Sequence, residues 1–117
     1  MSQEHYDQLM NTGQLPATSE TFISPTKAFA SNYDGVLVQF NMQAGTTDAL
    51  AGIGVRDSSR LTAQQWGNLP SVQSVDNWTL TNAYFKGERG QINIGLGRGA
   101  GLDTFNNNIL SFQAIPK

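Results

Sequence analysis

Short segments in which apolar and polar residues alternate make up most of the chain after residue 20. The clearest is VLVQFNM, which places Val36, Val38, Phe40 and Met42 on one face, with the period of two that a half-buried strand shows. Similar segments occupy residues 51–56, 77–85, 91–96 and 108–115. KGERG connects the segments at residues 77–85 and 91–96, and its glycines predict a hairpin. The pattern therefore predicts a sheet protein built from short strands.

Helical patterning is scarce in this part of the chain. LTAQQWGNLP at residues 61–70 is the one helical candidate, and Gly67 and Pro70 would end it. We therefore predict an all-β fold: a single antiparallel β-sandwich over residues 21–117, jelly-roll-like, with a small barrel as the alternative. The length of 117 residues fits one domain.

Residues 1–20 differ from the rest and predict an extended or partly helical N-terminal arm. SQEHYDQLM can form a short helix with Ser2 as its N-cap, which Gly13 and Pro16 would stop. The arm has too few large apolar residues to fold alone. We predict that it binds a partner through Tyr6, Leu9, Met10 and Leu15.

Composition excludes several kinds of chemistry. The chain has no cysteine and one histidine, His5, so we expect no disulfide, metal site or cofactor. A formal net charge of -2 and scattered basic residues argue against nucleic acid and membrane partners. The N-terminus lacks the pattern of a signal peptide, which predicts a soluble, unprocessed chain. Only 14% of residues are charged, and the abundant neutral polar side chains suit a surface covered by another protein or by a sugar.

The glycine-rich stretch GLGRGAGLDTFNNN, residues 95–108, is the strongest candidate for a ligand loop. Gly95, Gly97 and Ala100 fit a variant of the dinucleotide-binding fingerprint, but LDTFNNN predicts a poor helix, so we do not expect nucleotide binding. One interpretation is a connection between strands, anchored by Leu102 and Phe105. The other is a polar rim for sugar hydroxyls, with Trp66 or Trp78 as the stacking ring, formed by Arg98, Asp103, Asn106, Asn107 and Asn108.

The sequence contains no convincing catalytic centre. Asp76, Glu88 and Asp103 could be paired for acid–base chemistry, but each lies in a predicted turn, and none lies in an apolar segment that would raise its pKa. We therefore predict that the chain is not an enzyme.

Composition and architecture favour a structural assembly role. We expect a small virion component, such as a phage capsid decoration, cement or vertex protein, that forms homo-oligomers and binds the major capsid or another coat protein through its body and arm. It would be located on the virion, or otherwise be soluble. The first alternative is a lectin-like β-sandwich module that binds glycan through Trp66 and the Arg98–Asn108 loop. The second is a monomeric domain whose arm packs back on itself.

Overall fold

A computed structural model of the chain describes residues 1–17, 21–31, 34–71 and 82–117. Helices and strands are interspersed along the chain. They are α1 (Gln3–Thr12), β1 (Phe22–Ile23), α2 (Lys27–Ala30), β2 (Val38–Met42), α3 (Thr46–Ala51), β3 (Gly54–Arg56), α4 (Arg60–Gln65), β4 (Ala83–Glu88), β5 (Gln91–Leu96), α5 (Ala100–Asn106) and β6 (Ile109–Ala114).

The described strands form two sheets. The larger has the strand order β1-β5-β4-β3, in which β5 is antiparallel to both neighbours and β3 is parallel to β4. The smaller pairs β2 with β6 in antiparallel fashion, with a register shift between Asn41 and Met42. A parallel pair needs a crossover connection, and α4 lies in the chain between β3 and β4.

The hairpin predicted from KGERG is confirmed. Strands β4 and β5 are joined by Arg89 and Gly90, whose φ angles of 50° and 80° are those of a type I′ turn. Glu88 pairs with Gln91 at the end of the ladder, and Phe85 pairs with Ile94 further along it. This register places alternate residues of both strands on a common face.

The hydrophobic core lies on one face of the larger sheet. Phe85 and Ile94 contribute to it from the hairpin, and helices α3 and α5 add Leu50 and Phe105, each about 1% exposed. The Phe40 ring of β2 lies 5.2 Å from the Phe105 ring, so the smaller sheet packs on α5. Helical segments therefore lie beside both sheets.

The predicted all-β jelly-roll-like sandwich is wrong, because the fold is mixed α/β with one parallel strand pair. Helix α5 covers Leu102–Asn106 of the stretch predicted to be a poor helix and begins two residues earlier, at Ala100. Its Gly101 allows close approach to β4, since a Cβ there would lie 3.0 Å from the Asn82 carbonyl oxygen. Burial of Leu102 and Phe105 offsets the low helix propensity of glycine, and it confirms both residues as anchors.

The N-terminal helix forms as the sequence indicates. Ser2 Oγ accepts a hydrogen bond from the His5 N–H at 3.1 Å, and Gly13 ends α1 with a φ of 73°. Leu9 and Leu15 are buried within this chain. The Asn106 side chain accepts from the Leu15 N–H at 2.8 Å and donates to the Leu15 carbonyl at 3.1 Å. Residues 1–17 therefore pack against the rest of the domain rather than extending from it.

Some predictions concern residues outside the described ranges. These are the boundary of the arm at residue 20, the first half of the strand at residues 77–85, and the candidate residues Asp76 and Trp78.

Replacing Asn106 by alanine should lower the free energy of unfolding by about 1–2 kcal/mol. The substitution leaves the N–H and C=O of Leu15 without their side-chain partner, and the better helix propensity of alanine offsets part of that loss. Urea unfolding measures the effect. Asn107→Ala is the matched control, because Asn107 is exposed and adjacent. Equal stability of the two variants would contradict the role given to Asn106.

Candidate functional site

The face of the larger sheet opposite the core carries a group of hydrogen-bonded polar side chains. Ser24 and Thr26 follow β1, Glu88 ends β4, and Gln91 and Asn93 lie on β5. We call these five residues the polar cluster. Gln91 and Asn93 alternate along β5 with Ile92 and Ile94, which belong to the core, so the pleat of the strand places them on the other face.

Gln91 is the centre of the polar cluster. Its Oε1 accepts a hydrogen bond from the Thr26 hydroxyl at 2.5 Å. Its Nε2 donates to Ser24 Oγ at 2.8 Å and to Asn93 Oδ1 at 2.6 Å. Ser24 and Thr26 also bond to each other, since Ser24 Oγ accepts from the Thr26 N–H at 3.2 Å. The orientation of the Gln91 amide is therefore fixed from three sides.

Asn93 connects Gln91 to the carboxylate of the polar cluster. The residue is 1% exposed, and its Nδ2 donates to Glu88 Oε1 at 3.5 Å. The ammonium of Lys86 lies 3.6 Å from the same oxygen. Glu88 Oε2 has no hydrogen-bond partner among the described residues. Glu88 is thus a carboxylate positioned through one oxygen, with the second oxygen able to accept from a ligand.

Asp57 connects the hairpin to α4, close to the polar cluster. Its carboxylate accepts from the hydroxyls of Ser59 and Thr62, each at 2.7 Å, and from the Gly87 N–H at 3.0 Å. Burial alone would raise the pKa of Asp57, but these hydrogen bonds and that from the Ser59 N–H outweigh it and hold the pKa below 3.8. Asp57 is therefore ionised at neutral pH.

Tyr84 lies on the same face of the sheet, close enough to Asp57 and Glu88 for their charges to act on it. Burial raises the pKa of its hydroxyl, and the negative charges of Asp57 and Glu88 raise it further. The hydroxyl therefore stays protonated at neutral pH. The Tyr84 ring meets the Phe22 ring edge-on at 6.3 Å, and Phe22 is 39% exposed.

Two of the depressions on the surface of the described residues are lined by ionisable side chains. One, of about 320 Å³, runs from α4 to the hairpin turn and includes Glu88 in its lining. The other, of about 290 Å³, lies between Met42, Leu50 and Phe105, and Asp48 is the ionisable residue in its lining. The first depression adjoins the polar cluster, and we therefore take that region as the candidate site. A single carboxylate is a poor match for the several anionic oxygens that Ca²⁺ or Mg²⁺ prefers.

The predicted ligand loop is not a loop for most of its length. Asp103 and Asn106 belong to α5, while the exposed Arg98 precedes it and Asn107 caps its end. Asn106 is bound to Leu15, as described above. Asn108 donates from Nδ2 to the Thr104 carbonyl at 2.7 Å. The amides of Asn106 and Asn108 are therefore engaged by the domain itself.

The remaining predicted residues are placed as follows. The Trp66 ring lies 5.0 Å from the Phe85 ring, on the core. In the arm, Leu9 and Leu15 are buried, Tyr6 is half-buried, and Met10 is 60% exposed. Met10 and Tyr6 therefore offer the accessible surface of the predicted partner-binding set.

The polar cluster was not predicted from the sequence, although Glu88 is among the candidate acids. The available signal was the position of Gln91 and Asn93 on the face of β5 opposite Ile92 and Ile94, a pattern that a solvated face also shows.

Taken together, the fold and the polar cluster define a small mixed α/β domain with a hydrogen-bonded polar face on its larger sheet. No helix in the described ranges is long and apolar enough to cross a membrane. Comparison with protein families gives a match over residues 1–114, and the chain belongs to the PT3 toxin domain family. Comparison with the curated proteins found no match.

This family corrects the expectation of a virion or capsid protein, since the class that it indicates is a toxin domain. Binding to a coat protein, to itself or to a glycan through Trp66 and the Arg98–Asn108 loop stays a prediction.

Replacing Asp57 by asparagine should destabilise the domain at pH 7 by about 1–3 kcal/mol, because a neutral amide cannot replace a carboxylate that accepts several hydrogen bonds. The pKa of Asp57 is lower in the folded than in the unfolded chain, so its charge stabilises the fold above about pH 4. That contribution is lost as the pH falls through the folded-state pKa.

Urea unfolding at pH 7 and pH 3 measures the effect. The difference in free energy of unfolding between the parent and Asp57→Asn should be smaller at pH 3 than at pH 7. Asp103→Asn, at an exposed position of α5, is the control and should change stability by about half a kcal/mol or less. An equal difference in free energy of unfolding at both pH values would show that the charge of Asp57 does not stabilise the fold.

Proposed function

We propose that this chain is a toxin domain that acts on its target through the polar cluster, with Glu88 as the charged group that contacts the target. Membership of the PT3 toxin domain family supports the toxic role. The observation that carries the choice of site is the hydrogen-bond chain from Gln91 through Asn93 to Glu88.

Stability alone does not account for this chain of amides. Buried polar groups cost free energy unless every one is hydrogen-bonded, and apolar side chains fill the equivalent positions on the core face of the same strands. Asn93, at 1% exposure, is buried as deeply as the core residues. A polar network retained at such a position is typical of a binding site when it ends at a carboxylate with one oxygen that no described residue contacts.

Glu88 can contribute to binding in two ways. Its free oxygen can accept a hydrogen bond from a donor on the target, and its charge can stabilise positive charge there. Neither role requires a reaction, so the expectation that the chain is not an enzyme stays a prediction. Turnover of any target that depends on Glu88 would overturn it.

Glu88→Gln should abolish toxicity and leave the fold intact. The substitution removes the charge but keeps the size of the side chain, and an exposed ion pair such as that with Lys86 stabilises a protein by at most about 1 kcal/mol. Growth of bacterial and yeast cells during induced expression measures toxicity. Circular dichroism and urea unfolding of the purified variant measure the fold.

Glu4→Gln is the matched control, since Glu4 is an exposed acid on α1, away from the polar cluster. It should inhibit growth as strongly as the parent. Full toxicity of Glu88→Gln would exclude the polar cluster as the working site. Unchanged growth of both hosts during expression of the parent chain would contradict the toxic role itself.

A further inference from the structure

We infer that the polar cluster binds an uncharged sugar ring, with Phe22 as the stacking surface. The inference rests on the proposed function, because it names the ligand class of the same site. It differs from glycan binding at the Arg98–Asn108 loop, since it uses the opposite face of the larger sheet.

Phe22 supplies an apolar surface beside the polar cluster. It pairs with Gly95 on β5, and Gly95 in turn pairs with Tyr84 on β4, so the two rings meet across a position without a side chain. Phe22 is 39% exposed, so part of its side chain is accessible to a ligand. Small-molecule sites combine such aromatic surface with a few fixed polar groups.

Lys86 and Glu88 supply a donor and an acceptor beside this ring. The Lys86 ammonium lies 5.9 Å from the centre of the Phe22 ring and 3.6 Å from Glu88 Oε1. A sugar hydroxyl both donates and accepts, so neighbouring hydroxyls can bind a carboxylate and an ammonium at once. Ring, ammonium and carboxylate therefore match one face and two hydroxyls of a sugar.

The charges of this site favour a neutral ligand. Lys86 and Glu88 compensate each other, and Gln91, Asn93, Ser24 and Thr26 are neutral. A phosphate would meet the Glu88 carboxylate, and a cationic ligand would meet the Lys86 ammonium. An uncharged polyhydroxylated ring avoids both repulsions.

Gln91 gives the site its fixed geometry. Both hydrogens of its Nε2 are used, on Ser24 and Asn93, so the amide cannot rotate to suit a ligand. The site should therefore distinguish sugars that differ in the position of a hydroxyl, because a buried acceptor left unpaired costs affinity.

The test is an NMR titration of the isotopically labelled full chain with the methyl glycosides of glucose, galactose, mannose, N-acetylglucosamine and ribose. Concentrations extend to about 50 mM, beyond the millimolar range expected of a few contacts. At least one glycoside should shift the side-chain amide of Gln91 and the backbone amides of Phe22 and Glu88. Phe22→Ala and Glu88→Gln should each weaken that binding about tenfold or more, whereas Leu110→Ala, at an exposed apolar residue of β6, should not change it.

Three results would overturn the inference: no shift with any glycoside, shifts centred on Asn107 instead of Gln91, or undiminished binding by both Phe22→Ala and Glu88→Gln. Thermal unfolding of each variant confirms that it is folded, and Glu88→Gln tests the site if Phe22→Ala does not fold. The growth assay separates the two proposals. Loss of toxicity in Glu88→Gln without binding of any glycoside would leave the proposed function standing and reject the sugar.

Discussion

The two-residue turn between β4 and β5 is the constraint on which the rest of the structure depends. Positive φ angles at Arg89 and Gly90 give the turn the twist of the flanking strands and allow one register between them. In that register Phe85 and Ile94 pair on the core face, while Glu88 and Gln91 pair on the opposite face. A slip of one residue would exchange the faces, burying the carboxylate in the core and exposing the phenylalanine.

A second constraint keeps the hairpin in place relative to the rest of the domain. The Asp57 carboxylate accepts hydrogen bonds from both the start of α4 and the Gly87 N–H of β4. Glycine at 87 permits this approach, because a Cβ there would lie 2.4 Å from Ser59 Oγ. Since Gly87 precedes Glu88, the same anion that holds the N-cap residue Ser59 of α4 also fixes the strand end that carries the candidate site.

Local signals predicted the hairpin and strand β5. Helix α5 and the burial of Asn93 depend on contacts with distant parts of the chain, so the local pattern did not predict them. The turn and the alternation of Ile92, Ile94 and Leu96 are contained within a few residues, and so is the cap at Ser2. Helix α5 forms because Leu102 and Phe105 reach a core supplied by other segments. Asn93 has the pattern of a solvated position, and its burial depends on neighbours such as Gln91, which is itself held by Ser24, 67 residues away in the chain.

The low proportion of charged residues is reflected in the polar cluster, where four of the five side chains are neutral. Neutral amides both donate and accept, so one line of hydrogen bonds runs from the Thr26 hydroxyl through Gln91 and Asn93 to the carboxylate of Glu88, while Gln91 also donates to Ser24. A buried charge in their place would need its own partner to repay the cost of desolvation. This line of hydrogen bonds instead places the charge at the end of the strand, where Lys86 is an exposed partner worth about 1 kcal/mol at most. A ligand hydroxyl that comes between Lys86 and Glu88 therefore costs little, whereas separating Gln91 from Asn93 would deprive the buried Asn93 amide of a partner.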